Sequence, residues 1–505
     1  MGLHQTELKI ADSDIIAAVL TKAGVYSGGG IPLHKTEDSV LEQLLKIGRK
    51  ALQQYVDSLE EELEKTPIET QAGEKLPYKQ TTEREYLSIF GPITIKRAYY
   101  WKPGCESGVY PLDQKLQLPE GKFSYELQNT FLRLLVTGPY REALDTVARI
   151  FKIKLWPQAV QDVLEKGSSY VDSFYKGIKT YEAKEGPIIA VTMDCKGIPM
   201  VPSERSQKKQ EKVRREKGDK RKGLRRDAVV TAHFTFHPEA RTTEEMLKAL
   251  MKGYSAEEKK EYRSLKRKLK TEGKPAFREP INKQVHAAMD GKENAFARLA
   301  DQILLRNQEE NKKIIVLIDG AASLESRFQE EVKKRKWKKR IEAYILDIFH
   351  VLEYLWEAGT ALHGEKTVSR QEWVGSKLKD MLEGKVGYVI GSMKQILKKE
   401  AKPLKASQVK SVEKVITYFE NHKHMMKYDE YLQKGYPIGT GIVEGACGSL
   451  VKDRTDRSGM KWTHEGAQAI LNLRAIHQNG DWDKYFAYYI DMESQRLYRQ
   501  KKSAS

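Results

Sequence analysis

PIIAVTMD, residues 187–194, and KKIIVLID, residues 312–319, are two apolar runs that each close on an acid. Such runs have the form of strands buried on both faces of a sheet. A carboxylate at the end of a buried strand is costly to desolvate without a partner or a task. Asp194 and Asp319 are therefore candidate functional residues. Between them AVVTAHFTF (228–236) offers another strand, and Tyr344 to Phe349 a further one ahead of a helix through residues 351–361. Strands alternating with helical stretches predict an α/β sheet.

Glu444 extends the series, in YPIGTGIVEGACGSLVKDR (436–454), where Thr440 is placed to cap one helix running to Arg454. Helical spacing puts Glu444, Gly448 and Lys452 on one face, and the small residues 445–449 allow close approach to a sheet or to DNA. Lys452, Arg454, Arg457 and Lys461 then offer cations to phosphates. Three gathered carboxylates repel one another and raise one another's pKa, a conflict that divalent metal resolves. Mg2+ takes oxygen ligands and keeps positions for water and phosphate; two such ions about 4 Å apart, with Mn2+ as a substitute, stabilise the attacking and leaving oxygens of an in-line displacement. Any one of these acids alone reads as a helix cap or a salt-bridge partner. The order strand-Asp, strand-Asp, helix-Glu points to metal ligands at Asp194, Asp319 and Glu444. Asp347, which also follows an apolar strand, is the rival third ligand; its neighbour His350 reads either as a supporting group or as a core histidine.

The 505 residues exceed what one core serves, so several domains are expected. The formal charge of +18, from 88 Lys and Arg against 70 Asp and Glu, favours a polyanion, with nucleic acid ahead of anionic membrane. No apolar stretch approaches the roughly 20 residues of a membrane helix, and MGLHQTELKI lacks a signal peptide's apolar core, so a cytoplasmic protein is expected. The fit of Met1, Gly2 and Thr6 to an N-myristoylation pattern reads as coincidence. Cys105, Cys195 and Cys447 form no CxxC pair, which gives neither a disulfide framework nor zinc-finger spacing, and no GxxxxGK[ST] loop suggests a nucleotide-driven motor.

Along the chain, Thr36 to Lys65 has the apolar spacing of a long amphipathic helix, and Glu83 to Trp101 alternates about Gly91-Pro92 as a hairpin does. Tyr140 to Phe151 and Pro157 to Lys166 read as two short helices, either a helix-turn-helix offering Gln158, Gln161 and Lys166 to a major groove or a helical hairpin packed on its neighbours. Glu204 to Arg226 is almost pure charge, either a solvated run or a mobile phosphate-contacting loop beside Asp194. The long gap between Asp319 and Glu444 calls for an inserted domain, and from about Gly364 to Tyr436 it is Lys-rich with helical periodicity, an all-helical insertion. Trp373, Tyr428 and Tyr431 within it read as core residues or as platforms for flipped bases.

RRDAVVTAHFTFHPEARTTEEML (225–247), VLIDGA (316–321), YILDIFHVLEYLW (344–356) and YPIGTGIVEGACGSLVKDRTDRSGMKWT (436–463) resemble the ISKra-type insertion-sequence transposases, relatives of the Mutator-like group. The similarity extends over most of the chain, including YPLDQKLQLPEGKFSYEL (110–127). It implies a ribonuclease H-like catalytic core with an acidic triad, matched at Asp194, Asp319 and Glu444, with Asp347 and His350 in a supporting place. It departs at YYWKPGCESG (99–108), where a lone Cys105 stands in place of the paired cysteines of a zinc-binding turn. The expectation is a multidomain α/β protein. A helical and β-hairpin module (1–122) and a helix-turn-helix region (123–182) precede the core (183–363 and 437–480), which is interrupted by the helical insertion (364–436) and followed by a tail (481–505). The expected activity is two-metal DNA strand cleavage and transfer at terminal inverted repeats, by a homo-oligomer on double-stranded DNA. The alternatives are a structure-specific nuclease or resolvase with the same core, and a DNA-binding regulator with idle acids.

Overall fold

A computed structural model describes residues 16–17, 19–21, 32–61, 65–70, 73–105, 108–178, 185–202, 224–251, 279–309, 311–398 and 404–498. The chain forms two compact units, residues 1–170 with 482–505, and residues 171–481.

In the first unit the amphipathic stretch is helix α1, Leu33–Glu61. Its Leu52, Val56 and Leu59 pack with Ile93 and Ile95, the inward residues of a hairpin made by β1 (Tyr78–Ser88) and β2 (Gly91–Tyr100). The turn closes at Gly91, whose φ of +111° lies where a side chain would be strained. Helices α2 (Tyr125–Thr137), α3 (Tyr140–Phe151) and α4 (Pro157–Ser168) follow. Lys152, at φ +56°, ends α3, and Pro157 opens α4. The segment expected as a tail is instead a helix, Trp482–Tyr498. Its Trp482, Tyr485, Phe486 and Tyr489 recur at helical spacing and are buried, with Tyr485 donating to the Gly167 carbonyl at 2.6 Å.

The second unit is built on a five-stranded mixed sheet. In chain order its strands are β3 (Ile188–Pro199), β4 (Arg225–Phe236), β5 (Ile281–Ala288), β6 (Lys313–Ile318) and β7 (Ile341–Leu346). Their spatial order is β5-β4-β3-β6-β7. The first three form an antiparallel meander, and β6 and β7 run parallel to β3. The parallel strands are entered through helices α5 (Lys292–Arg306) and α6 (Ala322–Lys334), as parallel neighbours require a crossover. Beyond β7 come α7 (Ile348–His363), α8 (Val368–Leu382), α9 (Val386–Lys398) and α10 (Ala406–His422). One apolar cluster runs from Ile189, Val316 and Ile345 of the sheet through Leu355 to Leu378, Val389, Val412 and Phe419. The helical segment thus shares its core with the sheet. Helix α11 (Gly441–Ala446) and helix α12 (His464–Gln478) complete the unit. No helix among the described residues is long and apolar enough to cross a membrane.

Candidate active site

Strands β3 and β6 pair in parallel from Ile188↔Lys313 to Thr192↔Leu317. Two residues further along the chain from each member of that last pair stand Asp194 and Asp319. Asp194 is not the end of its strand as expected: β3 continues to Pro199 against β4, with Asp194 opposite Val230. The acid marks the point where the parallel partner leaves. The Cys195 N–H donates to its Oδ1 at 2.5 Å, and the Cys447 thiol reaches its Oδ2 at 3.2 Å. Asp319 lies in the turn after β6, where Ala321 N–H donates to its Oδ1 at 2.9 Å. Helix α10 pins this turn, since the Tyr418 hydroxyl donates to the Asp319 carbonyl at 2.7 Å. A Cβ at Gly320, φ +86°, would meet that hydroxyl at 2.7 Å, so the turn fits only glycine. Both acids are half-buried.

Asp347, Glu444 and His350 form a second group, with one ligand-type atom of each within 4.8 Å of the others. Asp194 and Asp319 stand outside that group. Asp347 is fully buried at the start of α7. Its Oδ1 accepts from Phe349 N–H at 3.2 Å and Thr440 N–H at 3.0 Å, and its Oδ2 lies 2.8 Å from His350 Nδ1. Burial opposes ionisation of Asp347, but the bonds from His350, Thr440 and Phe349 outweigh it and hold the carboxyl below its usual range. The same bond to Asp347 pushes His350 up to about 9, and the charge of Asp319 contributes. Glu444 is raised, first by burial and then by the like charge of Asp347. Two carboxylates this close repel, and the positive charge of His350 beside them offsets part of that repulsion.

The helix carrying Glu444 is not regular. Thr440 does not cap it through its side chain; its hydroxyl donates to Glu444 Oε1 at 3.0 Å instead. After Ala446 the chain makes a π turn, Cys447–Lys452, so the expected single face of Glu444, Gly448 and Lys452 is broken by the wider turn. Arg474 accounts for it: its guanidinium donates to the carbonyls of Leu450, at 2.8 Å, and Ser449. The π turn brings Cys447 to Asp194 while Glu444 faces Asp347.

Of the expected phosphate contacts, Lys452, Arg457 and Lys461 are exposed. Arg454 is a correction. It is fully buried, with its guanidinium 4.7 Å over the Trp462 ring and bonded to Met460 Sδ, so it serves packing and no phosphate can reach it. In the first unit Gln158 is exposed, whereas Gln161 is engaged by Tyr140 and Glu165 at 2.7 and 2.6 Å. Lys166 pairs with Glu120 at 3.1 Å. Tyr428 and Tyr431 are buried, donating to the carbonyls of Leu346 and Tyr344 at 2.9 and 3.3 Å, which rules them out as base platforms; Trp373 packs partly buried on the core. Of the basic run Glu204 to Arg226, residues 204–223 lie outside the described residues. The contacts of Cys447, Arg474 and Tyr418 with the site were missed, since none carries a sequence signal of its own.

Residues 27–264 match the uncharacterised protein family UPF0236. No curated protein matches the chain. Among solved structures the chain is similar to the Drosophila P element transposase strand transfer complex, at 8% identity over 75% of this chain and 82% of that one, with a TM-score of 0.26. No residue correspondence follows at that level.

Proposed function

We propose that the chain is a DNA transposase of the ISKra type, with a ribonuclease H-like core that cuts and joins strands at Asp194, Asp319 and Glu444. One observation carries the reading: Asp194 and Asp319 occupy matching positions past the last rung of two adjacent parallel strands, and the helix turn after Glu444 closes on Asp194 through Cys447. The strand order, an antiparallel meander continued by two strands parallel to the first, supports the same core. The three carboxylates would hold two Mg2+ ions, which supply a deprotonated nucleophile and neutralise charge on the phosphate.

The chain's own residues do the rest. Asp319 is fixed by the Gly320 turn and α10, so its carboxylate meets the substrate without reorganising. Thr440 orients Glu444 from one side. His350, held charged by Asp347 near neutral pH, offers an imidazolium beside Glu444 that can bond a non-bridging phosphate oxygen. Lys452, Arg457 and Lys461 supply exposed cations along the same segment. Residues 1 to 180 read the element's terminal inverted repeats, and the active form is a homo-oligomer on double-stranded DNA in the cytoplasm.

The test uses duplexes bearing the element's ends with Mg2+ or Mn2+. Cleavage and end-joining should disappear in Asp194→Asn, Asp319→Asn and Glu444→Gln while duplex binding persists. Full cleavage by either aspartate variant overturns the assignment. Cutting with no joining would favour the nuclease alternative.

A further inference from the structure

A cavity of about 630 Å3 opens in the first unit, between α1, the tip of the hairpin and the turn that joins α3 to α4. Its lining carries five lysines and arginines against two glutamates. Three of the cations have acidic neighbours: Lys46 with Glu42, Lys122 with Glu85, and Lys152 with Asp38. Arg49 and Lys154 carry the excess. Of its four aromatic rings, Phe123 is buried and Phe151 half-buried in the fold, and Trp156 and Phe90 are exposed. Trp156 is 65% accessible and Phe90 37%, and Lys154 Nζ sits 4.9 Å over the Trp156 ring. Phe90 is held in place from behind, because a Cβ on Gly48 would meet its ring at 2.6 Å.

We infer that this cavity binds single-stranded DNA, with an unpaired base stacked on Trp156 and the adjoining phosphates on Arg49 and Lys154. A positive groove interleaved with exposed aromatic rings is the physical requirement for unpaired nucleic acid: every base has a π face, and the backbone carries the charge. A duplex hides those faces in its own stack, leaving the indole uncovered. An acidic peptide would satisfy the cations and leave both rings in water. The volume lies within the roughly 300–1,000 Å3 of sites that enclose small ligands, enough to take a base in rather than merely touch it. The inference rests on the proposed function only in taking DNA as the polymer; it involves none of the acids of the second unit.

The full chain is titrated in EDTA against a dye-labelled single-stranded oligonucleotide containing 2-aminopurine, and against the matching duplex. Trp156→Ala and Lys154→Gln should each weaken single-strand binding about tenfold. The first should abolish 2-aminopurine quenching, Trp156→Phe should restore it in part, and duplex affinity should stay within about twofold. Circular dichroism melts confirm that each variant folds. Unchanged single-strand binding by Trp156→Ala, an equal loss for duplex, or displacement by polyglutamate as readily as by oligonucleotide overturns the inference. Asp319→Asn separates the two readings, because it should bind the single strand normally. If it abolishes cleavage while Trp156→Ala changes nothing, the cavity reading falls and the catalytic one stands. If no form of DNA binds, both fall.

Discussion

Strands β6 and β7 lie side by side, and each delivers an acid at its end, yet Asp319 and Asp347 meet opposite surroundings. At Asp347 the chain turns directly into α7, and the carboxylate is fully buried with both oxygens engaged by Phe349, Thr440 and His350. At Asp319 a glycine at φ +86° turns the chain away first. The carboxylate stays half-buried, and among the described residues one hydrogen bond reaches it, from Ala321. The contrast teaches that an apolar strand ending in Asp specifies a position and leaves its use open. A fully buried carboxylate holding three partners pins the fold, whereas a half-buried one with fewer keeps lone pairs open and can take a ligand.

The largest effect that could break this comparison is on chemistry. Asp319→Asn should lower duplex cleavage about a thousandfold, since losing several kcal/mol of charge stabilisation costs about a decade per 1.4 kcal/mol, while its urea midpoint barely moves. An Asp319→Asn protein that cleaves normally, or unfolds far more easily, erases the distinction. Next comes stability: Asp347→Ala removes the partner of His350 and the acceptor for the buried Thr440 N–H and the half-buried Phe349 N–H, and should cost about 3 kcal/mol in urea denaturation. A loss as small as that of Asp319→Asn would make Asp347 an ordinary surface acid.

Titration sharpens the same contrast. His350 sits at about 9 in the fold against about 6.5 in an unfolded chain, so its contribution is fully present below pH 6.5 and fades as pH rises through about 9. With the ring partly open to solvent, the amount is about 1 kcal/mol. Thermal melts in EDTA between pH 6.5 and 9 should show this decline in the wild type and lose it in Asp347→Ala; parallel curves would contradict the pairing. An effect of similar size is expected at Thr440→Val. Without the hydroxyl on Glu444, half-maximal Mg2+ for cleavage should rise about tenfold with little change in stability. An unmoved Mg2+ requirement would show that Thr440 serves the backbone alone.

Periodicity made the apolar strands legible, because a run such as IIAVTM can only be buried. Strand β5 escaped it: INKQVHAA places Gln284 and His286 among its apolar residues, and becomes a strand by pairing with β4 and lying under α12, whose Gln468 bonds both Met289 N–H and the Ala287 carbonyl. The strand and helix settings of Asp194, Asp319 and Glu444 could be read, but not that Glu444 would lie against Asp347 and His350. Nor could their other partners be read, since Cys447 reaches Asp194 only through a π turn that Arg474, 20 or more residues away in sequence, stabilises. Arg454 shows the converse error. A run of Lys and Arg looks uniformly solvated until Trp462 folds back over one member of it. The helix Trp482–Tyr498 was readable from its aromatic spacing, which the expectation of a tail overlooked.

The continuous core beneath sheet and helices has a consequence for how the protein comes into being. On the ribosome Asp194 and Asp319 emerge well before Glu444, and the apolar faces of β6, β7 and α7 stay without their cover until residues through Phe419 have been made. A chain halted between those points has two acids and no lasting pocket around them. On the transposase reading, strand cleavage would then have to wait until Glu444 has been made, without an inhibitor to restrain it.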